Sequence, residues 1–394
     1  MSERDKGAQR PAYEVAIAGG ALLAAAMGIG RFVYTPLLPH MQEALHLTPG
    51  VAGWIASANY LGYLAGALVT TVMPPPDAPR RVIAFGLLSS AITTGLMGAV
   101  STVALFALLR FLGGVASALV LIYTTPIVFM RLAEMRAERY VSLLFGGVGA
   151  GMAISAVLVA ALGAAGFGWG VQWVACGLVT ALALLALRHI PDTTRAQTAG
   201  TASKLQWPRG LAPLLASYTL FGFGYVITAT FIVVIVRESV VLRPLEPMIW
   251  TIVGLAGVPS VWAWTTLSNR IGLFAAYAAA CIAEAIGVAA SVVATSIPVV
   301  ILAAILLGGT FMAITSLGLA GGRRMAISDP VRVLALLTAG FGLGQIVGPA
   351  LAGFLRESTG SYLAPSLAAA AALVIAAALS APLDRMRPVP TPSS

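Results

Sequence analysis

Three charged side chains, Arg31, Arg110 and Glu284, lie well inside long apolar runs of this 394-residue chain. A charge in hydrocarbon costs several kcal/mol, so such residues mark pathways, relays or paired structural groups. Arg31 falls about 9 residues before the end of its run and Arg110 about 8 residues after the start of its own. At 1.5 Å per residue both sit roughly 12–14 Å below the same membrane surface. Two guanidiniums at one depth make a fork-like site for an anion. The competing reading is structural: Arg110 hydrogen-bonds backbone carbonyls of the first run, and Arg31 snorkels outward. Glu284 is the one acid at mid-run and the candidate for proton coupling; its structural alternative is a protonated carboxyl bonded to a neighbouring helix. Other polar groups within the runs add Tyr34, Asn59, Tyr225 and Gln345 as substrate-binding candidates, with Thr35, Tyr60, Tyr63, Tyr123, Thr124 and Tyr218 behind them. Tyr and Asn can hydrogen-bond a ligand, or equally bond helix to helix.

The elements that position these residues follow from composition. Hydrophobic residues make up 59% of the chain and charged residues 9%, against about 25% charged in soluble domains. A bilayer must be the solvent. Spanning takes about 20 apolar residues per helix, and twelve stretches qualify: 14–40, 48–73, 80–100, 102–130, 138–165, 168–188, 209–237, 244–267, 271–294, 296–320, 330–356 and 361–383. Runs such as Val82–Val100 do not alternate in polarity, which excludes a β-barrel. The expectation is an all-α membrane protein of twelve transmembrane helices in two pseudo-symmetric six-helix bundles. The 42 glycines read as surfaces for close helix packing. Pro36 and Pro39 should free carbonyls and bend the first helix, and Thr125-Pro126 the fourth. Trp54, Trp169, Trp173, Trp250, Trp262 and Trp264 lie near helix ends and read as interfacial anchors.

The net charge of +9 would suit nucleic acid in a soluble protein, but its distribution points elsewhere. Of 23 Lys and Arg, only Arg237, Arg243 and Arg356 fall in one set of alternate loops. Apart from Arg31 and Arg110, all the others fall in the opposite set. That is the positive-inside pattern, and it places both termini in the cytoplasm. Residues 1–13 then form an N-terminal tail, 14–188 a first bundle, 189–208 a cytoplasmic linker, 209–383 a second bundle and 384–394 a C-terminal tail. The first helix is too long for a signal-peptide core and is expected to be retained. Cys176 and Cys281 sit inside apolar runs without metal spacing. There is no phosphate-binding Gly-rich loop and no catalytic set, so neither enzyme activity, cofactor nor metal is expected.

The halves repeat. Gly28-Ile-Gly30-Arg31 matches Gly222-Phe-Gly224-Tyr225 at an offset of 194, Gly113-Gly114 matches Gly308-Gly309 at 195, and Phe145-Gly146 matches Phe341-Gly342 at 196. On these offsets the repeat mates of Arg31 and Arg110 are Tyr225 and Ile305. Over nearly its full length the chain resembles the major facilitator superfamily, and within it the YbfB/YjiJ family of bacterial transporters. The resemblance is carried by Gly28-Ile-Gly-Arg-Phe-Val-Tyr-Thr-Pro-Leu-Leu-Pro39, Arg110-Phe-Leu-Gly-Gly114 and Phe341-Gly-Leu-Gly-Gln-Ile-Val-Gly-Pro349. Departures exist. The superfamily's Asp-Arg loop between helices 2 and 3 keeps only Arg80-Arg81; its repeat copy has Asn269 where Asp is usual; and Gly147-Val-Gly-Ala-Gly151 lacks the Pro of the antiporter motif.

The resemblance implies that the first and fourth helices border a central cavity, with substrate held near mid-membrane between bundles that alternate access. It also implies a bacterial inner membrane and a monomer. The leading expectation is a secondary transporter of a small solute, an organic anion held by Arg31 and Arg110, with protons as a candidate coupling ion. The alternative is a proton-coupled exporter of neutral or lipophilic compounds, such as sugars or drugs, in which the arginines are structural or set the coupling. A receptor or scaffold would need a sizeable polar domain, and the longest polar stretch is the linker.

Overall fold

The computed structural model describes residues 11–72, 76–191, 207, 208, 210–325 and 330–385. Most of the two expected tails and most of the expected 189–208 linker lie outside them. No strand occurs among the described residues. The helices are α1 (Ala12–Leu45, with internal breaks), α2 (Pro49–Val72), α3 (Pro79–Leu96), α4 (Val103–Glu134), α5 (Val141–Ala164) and α6 (Trp169–Leu182, continued in 3-10 form to His189). The second set is α7 (Leu211–Glu238), α8 (Glu246–Gly257 and Ser260–Ile271), α9 (Leu273–Val293), α10 (Ile297–Met325), α11 (Pro330–Thr359) and α12 (Leu363–Ser380). Ten are long and apolar enough to cross a membrane, and the two pieces of α8 together make an eleventh. The remaining one, α2, is about 36 Å long but carries Ser57, Asn59, Tyr60 and Tyr63. Its polar face is buried because α2 packs against both α4 and α11.

Two helices depart from the expected uninterrupted spans. α8 bends by 43° at Val258-Pro259, where Pro removes a donor and crowds the preceding turn. α1 is irregular earlier than its prolines: Ala24–Ile29 is π-helical, a turn follows, and α-helix resumes at Tyr34 with Pro39 inside it. α4 runs through Pro126 without a break. The tryptophan reading needs correction as well. Trp54 and Trp262 are exposed, but Trp173 and Trp250 are core residues. The Trp173 indole N–H donates to Met41 Sδ, and Trp250 packs on Phe32.

Glycine contacts set the register of the repeat. A Cβ on Gly114 of α4 would lie 2.0 Å from the Asn59 carbonyl oxygen of α2, and one on Gly308 of α10 would lie 2.0 Å from that of Val253 in α8. Both pairs (114 with 308, 59 with 253) are 194 apart, so the α4/α10 offset is 194 rather than 195. The repeat mate of Arg110 is therefore buried Ala304, while Ile305 is 45% exposed on the outside of α10. Gly146 of α5 faces Val258 of α8, and Gly342 of α11 faces Leu64 of α2; Leu64 and Val258 are again 194 apart.

The two sets of helices meet along α2–α11, α5–α8 and α1–α7. The seams are tight because small residues let backbones touch: a Cβ on Gly53 would come within 2.2 Å of the Pro349 carbonyl, and one on Gly149 within 2.5 Å of that of Gly254. The membrane face reached by the ends of α1, α7 and α11 is closed by polar groups. Arg237 pairs with Glu43 and with Glu246 (3.2 Å), Arg356 with Glu238 (3.0 Å), and the Gly50 amide donates to Glu357 (2.8 Å). Below them Thr35 Oγ1 donates to the Ala229 carbonyl and Ser57 Oγ to that of Ile346, both at 2.7 Å.

Candidate functional site

The site begins with the interruption in α1. Pro36 has no N–H to give the Phe32 carbonyl, and the Thr35 amide turns to that carbonyl instead, at 3.2 Å. The Arg31 carbonyl, which the Thr35 amide would serve in a regular helix, is left without that donor. Arg110 fills the gap from α4: its two terminal nitrogens donate to the carbonyls of Gly30 (3.1 Å) and Arg31 (2.8 Å). The guanidinium also lies 5.2 Å from the Tyr34 ring centre. Asn59 Nδ2 donates to the Arg110 carbonyl at 2.8 Å, and the Tyr34 hydroxyl to that of Ala52 at 3.0 Å. Arg110, Tyr34 and Asn59 are thus committed to backbone, and together they lash α1, α2 and α4.

Arg31 points the other way. One terminal nitrogen donates to Gln345 Oε1 of α11 at 2.7 Å, and the Gln345 amide donates in turn to the Tyr225 hydroxyl of α7. The guanidinium carbon stands 4.1 Å from the Tyr63 ring centre and 4.8 Å from that of Tyr60, close enough for cation–π attraction of about 0.5–2 kcal/mol each. Arg31 does not snorkel; it is 2% exposed and bridges the two halves of the chain. Beyond Tyr225 the rings of Phe221, Phe311 and Phe341 stack on it with centroids 5.1–5.9 Å away. Tyr218, Phe221 and Tyr225 share one face of α7 by their spacing of three and four, a signal present in the sequence. Phe311 and Phe341 carry no polar atom to flag them, although Phe341 opens the α11 motif.

The electrostatics of this place are one-sided. Arg31 and Arg110 are 2% and 3% exposed, and the Nε atom of each has no hydrogen-bond partner. Among the described residues no carboxylate pairs with either guanidinium. Buried charges normally demand a counter-charge, because desolvation costs several kcal/mol per ion. Two cations with carbonyls, an amide and aromatic faces for company leave an unmet preference for an anion.

Glu284 pairs with neither guanidinium, although it stands near enough to Tyr225 to act on it electrostatically. It is fully buried on α9, which packs against α10 and α12, and neither carboxyl oxygen has a hydrogen-bond partner. Thr310 of α10 stands beside it but gives its own proton to the Leu306 carbonyl at 2.6 Å. The structure thus brings Arg31, Tyr225 and Gln345 into one hydrogen-bonded chain, sets Arg110, Tyr34 and Asn59 behind it, and leaves Glu284 inside the second set of helices. Among the described residues no group of His, Cys, Asp or Glu could hold a metal ion.

A family model described as "Uncharacterised MFS-type transporter YbfB" matches residues 23–381. The chain belongs to this family of major facilitator transporters. It is 28% identical over 166 residues to the uncharacterized MFS-type transporter YceJ of Bacillus subtilis, covering 41% of this chain and 42% of that one. It is 24% identical over 206 residues to the putative niacin/nicotinamide transporter NiaP of the same organism, covering 51% and 50%. It is 24% identical over 171 residues to the benzoate transport protein of Acinetobacter baylyi, covering 42% and 36%. The matched stretch thus spans about half or less of each of these curated relatives. In fold the chain is similar to the nucleoside transporter NupG (TM-score 0.73, 15% identity, 94% of this chain and 99% of that one). It is similar also to a bacterial homolog of the human lysosomal transporter Spinster, solved inward-facing and occupied (TM-score 0.70, 13% identity, 97% and 100%). The chain is therefore a multi-pass membrane protein of a major facilitator transporter family, and the relatives it matches are transporters rather than enzymes.

Proposed function

We propose that the chain is a secondary transporter of a small organic anion, with Arg31 as the ligand of the anionic group and a planar aromatic carboxylate as the substrate class. The observation that carries this reading is the pair of buried guanidiniums without an acid partner. Of the two, Arg110 has its terminal nitrogens engaged by α1 carbonyls, whereas Arg31 is held by the neutral Gln345. A carboxylate is a stronger acceptor than an amide oxygen, because hydrogen bonds between ionised partners are about twice as strong as neutral ones. It would displace Gln345 Oε1 and accept two parallel N–H bonds. The ring of the substrate then has Tyr63, Tyr60 and the Tyr225–Phe341 stack as neighbours. Niacin and benzoate, named for two of the relatives, are both planar aromatic carboxylates and fit this chemistry.

Displacement of Gln345 has a mechanical consequence. The Arg31–Gln345 bond joins α1 to α11, so a substrate that takes Arg31 weakens one link across the two halves while adding its own contacts to both. A ligand shifts a conformational equilibrium only through such differential contacts. The proposed cycle is alternating access between two bundles, 14–188 and 209–383, joined through 189–208. The chain would sit as a monomer in a bacterial inner membrane with both termini cytoplasmic. Glu284, a buried carboxyl without a partner, is the candidate for coupling to protons.

The test is a thermal-shift panel on detergent-purified protein containing benzoate, nicotinate, a phosphate monoester, a neutral sugar and a lipophilic cation. A ligand at 100 times its Kd stabilises by about 2.7 kcal/mol. Stabilisation by the aromatic carboxylates, lost in Arg31→Gln protein that stays folded, supports the reading. Stabilisation by neutral or cationic compounds that survives Arg31→Gln overturns it in favour of an exporter of neutral or lipophilic solutes.

A further inference from the structure

Away from the central helices, Arg80 and Arg81 at the start of α3 and Arg188 at the end of α6 line one cavity of about 490 Å³. Its remaining walls are Ala84, Leu184, Leu185 and Leu187. Three cations over an aliphatic floor form an amphipathic site, polar at the membrane boundary and apolar below it. The first turn of α3 adds to the positive field, because Ala78 at its N-cap supplies no side-chain acceptor and the helix dipole points its positive end at the cavity mouth. The side chains of Arg80 and Arg81 make no hydrogen bond or ion pair with any described residue.

Below the cavity the apolar surface continues as two ridges. On α6, Leu178, Leu182 and Leu185 recur at four and three residues, each 64% exposed. On α3, Phe85, Leu88 and Ile92 recur at three and four, all exposed as well. The two helices pack against each other, so the ridges flank one seam that leads from the arginines into the bilayer.

We infer that this cavity is a binding site for an anionic phospholipid of the phosphatidylglycerol type, with the phosphodiester on Arg80, Arg81 and Arg188 and an acyl chain along the α3–α6 seam. Charge complementarity selects the lipid. Basic pockets between membrane helices bind anionic headgroups, and guanidiniums match phosphate oxygens in a bidentate manner. A soluble phosphate would use the arginines but gain nothing from the apolar walls Leu184, Leu185 and Leu187, whereas a zwitterionic lipid would bring a cationic amine to a site that is already cationic. The inference is independent of the substrate reading, since Arg31 and Arg110 take no part in it.

The experiment uses the full chain in nanodiscs of 3:1 phosphatidylcholine to phosphatidylglycerol, released into native mass spectrometry. Phosphatidylglycerol adducts should be enriched over the nanodisc ratio, and each arginine removed should lower retention about fivefold. The triple variant R80Q/R81Q/R188Q should therefore lose the enrichment. The charge-matched control R270Q/R323Q/R324Q, on the same membrane face, should keep it. Equal loss in both variants means diffuse attraction to basic loops and overturns the site, as does equal retention of the two lipids by the unmodified chain. So does displacement of the lipid by millimolar inorganic phosphate. If the triple variant does not fold, a photoactivatable phosphatidylglycerol on the unmodified chain decides the question. Crosslinks at 80–92 and 178–188 support the site, and crosslinks spread over the surface overturn it.

Discussion

Swapping each buried arginine for lysine separates the two roles, because the charge and most of its desolvation cost cancel in the comparison. Arg110 serves two carbonyls 2.8 and 3.1 Å away through the two arms of a planar fork. Lysine has a single nitrogen on a shorter reach, so Arg110→Lys leaves one of the carbonyls of Gly30 and Arg31 without a donor. A buried acceptor stripped of its partner costs about 1–3 kcal/mol, and stability should fall by that amount. Arg31→Lys leaves the Gln345 oxygen reachable and gives up only flat stacking on Tyr63 and Tyr60, about 1 kcal/mol of stability. For the ligand the order reverses. Arg31→Lys loses one of two charge-assisted bonds to the carboxylate, about 1.5–3 kcal/mol, which is a rise in Kd of roughly 10- to 150-fold. Arg110→Lys should raise Kd by less than about tenfold. The assay is chemical unfolding in detergent micelles for stability, and a benzoate titration read by thermal shift for Kd. If Arg31→Lys proves the less stable protein, or if Arg110→Lys weakens the ligand more, the division of labour between the two arginines is wrong.

Glu284→Gln removes a buried carboxyl without a hydrogen-bond partner, so stability should hold or rise. If Glu284 couples transport to protons, the variant in proteoliposomes loses stimulation by a pH gradient while substrate exchange at equal pH persists; stimulation retained in full rules Glu284 out. Gly114→Ala and Gly308→Ala each drive a methyl to 2.0 Å from a carbonyl oxygen, so each should cost at least about 2 kcal/mol, and by similar amounts because the repeat makes the two sites alike. A clear loss in one variant only would break that equivalence. The double variant Glu43→Gln/Glu238→Gln removes exposed ion pairs and should change stability by under about 2 kcal/mol. It should nevertheless raise thiol labelling of a cysteine placed at Ala52, behind the closed face. Cys176 and Cys281 are buried and give little background, and unchanged labelling would mean that these pairs do not hold the face shut.

The architecture was legible because its cause is one-dimensional. Runs of about 20 apolar residues force helices in a bilayer, and twelve such runs lead to the observed elements within a few residues at most ends. The breaks were less legible. Pro259 sits at the bend of α8, where one uninterrupted span was expected, and the π-helical stretch at Ala24–Ile29 contains no proline to mark it. The repeat showed through its glycines, yet its register could be placed only to within a residue, since Gly113-Gly114 and Gly308-Gly309 can be aligned in two ways until Asn59 and Val253 are seen opposite Gly114 and Gly308.

The charged groups show the limit most sharply. Sequence says that Arg31 and Arg110 share a depth, and depth alone makes them look like one site. Their difference lies in which acceptors each meets, and that depends on a backbone detail of α1, where Pro36 withholds an amide and Thr35 takes its place at the Phe32 carbonyl. The Arg31 carbonyl so released, together with that of Gly30, engages Arg110, while the Arg31 side chain faces Gln345 and the aromatic rings. Pro36 thus decides which of the two arginines is tied to backbone carbonyls and which to a side chain.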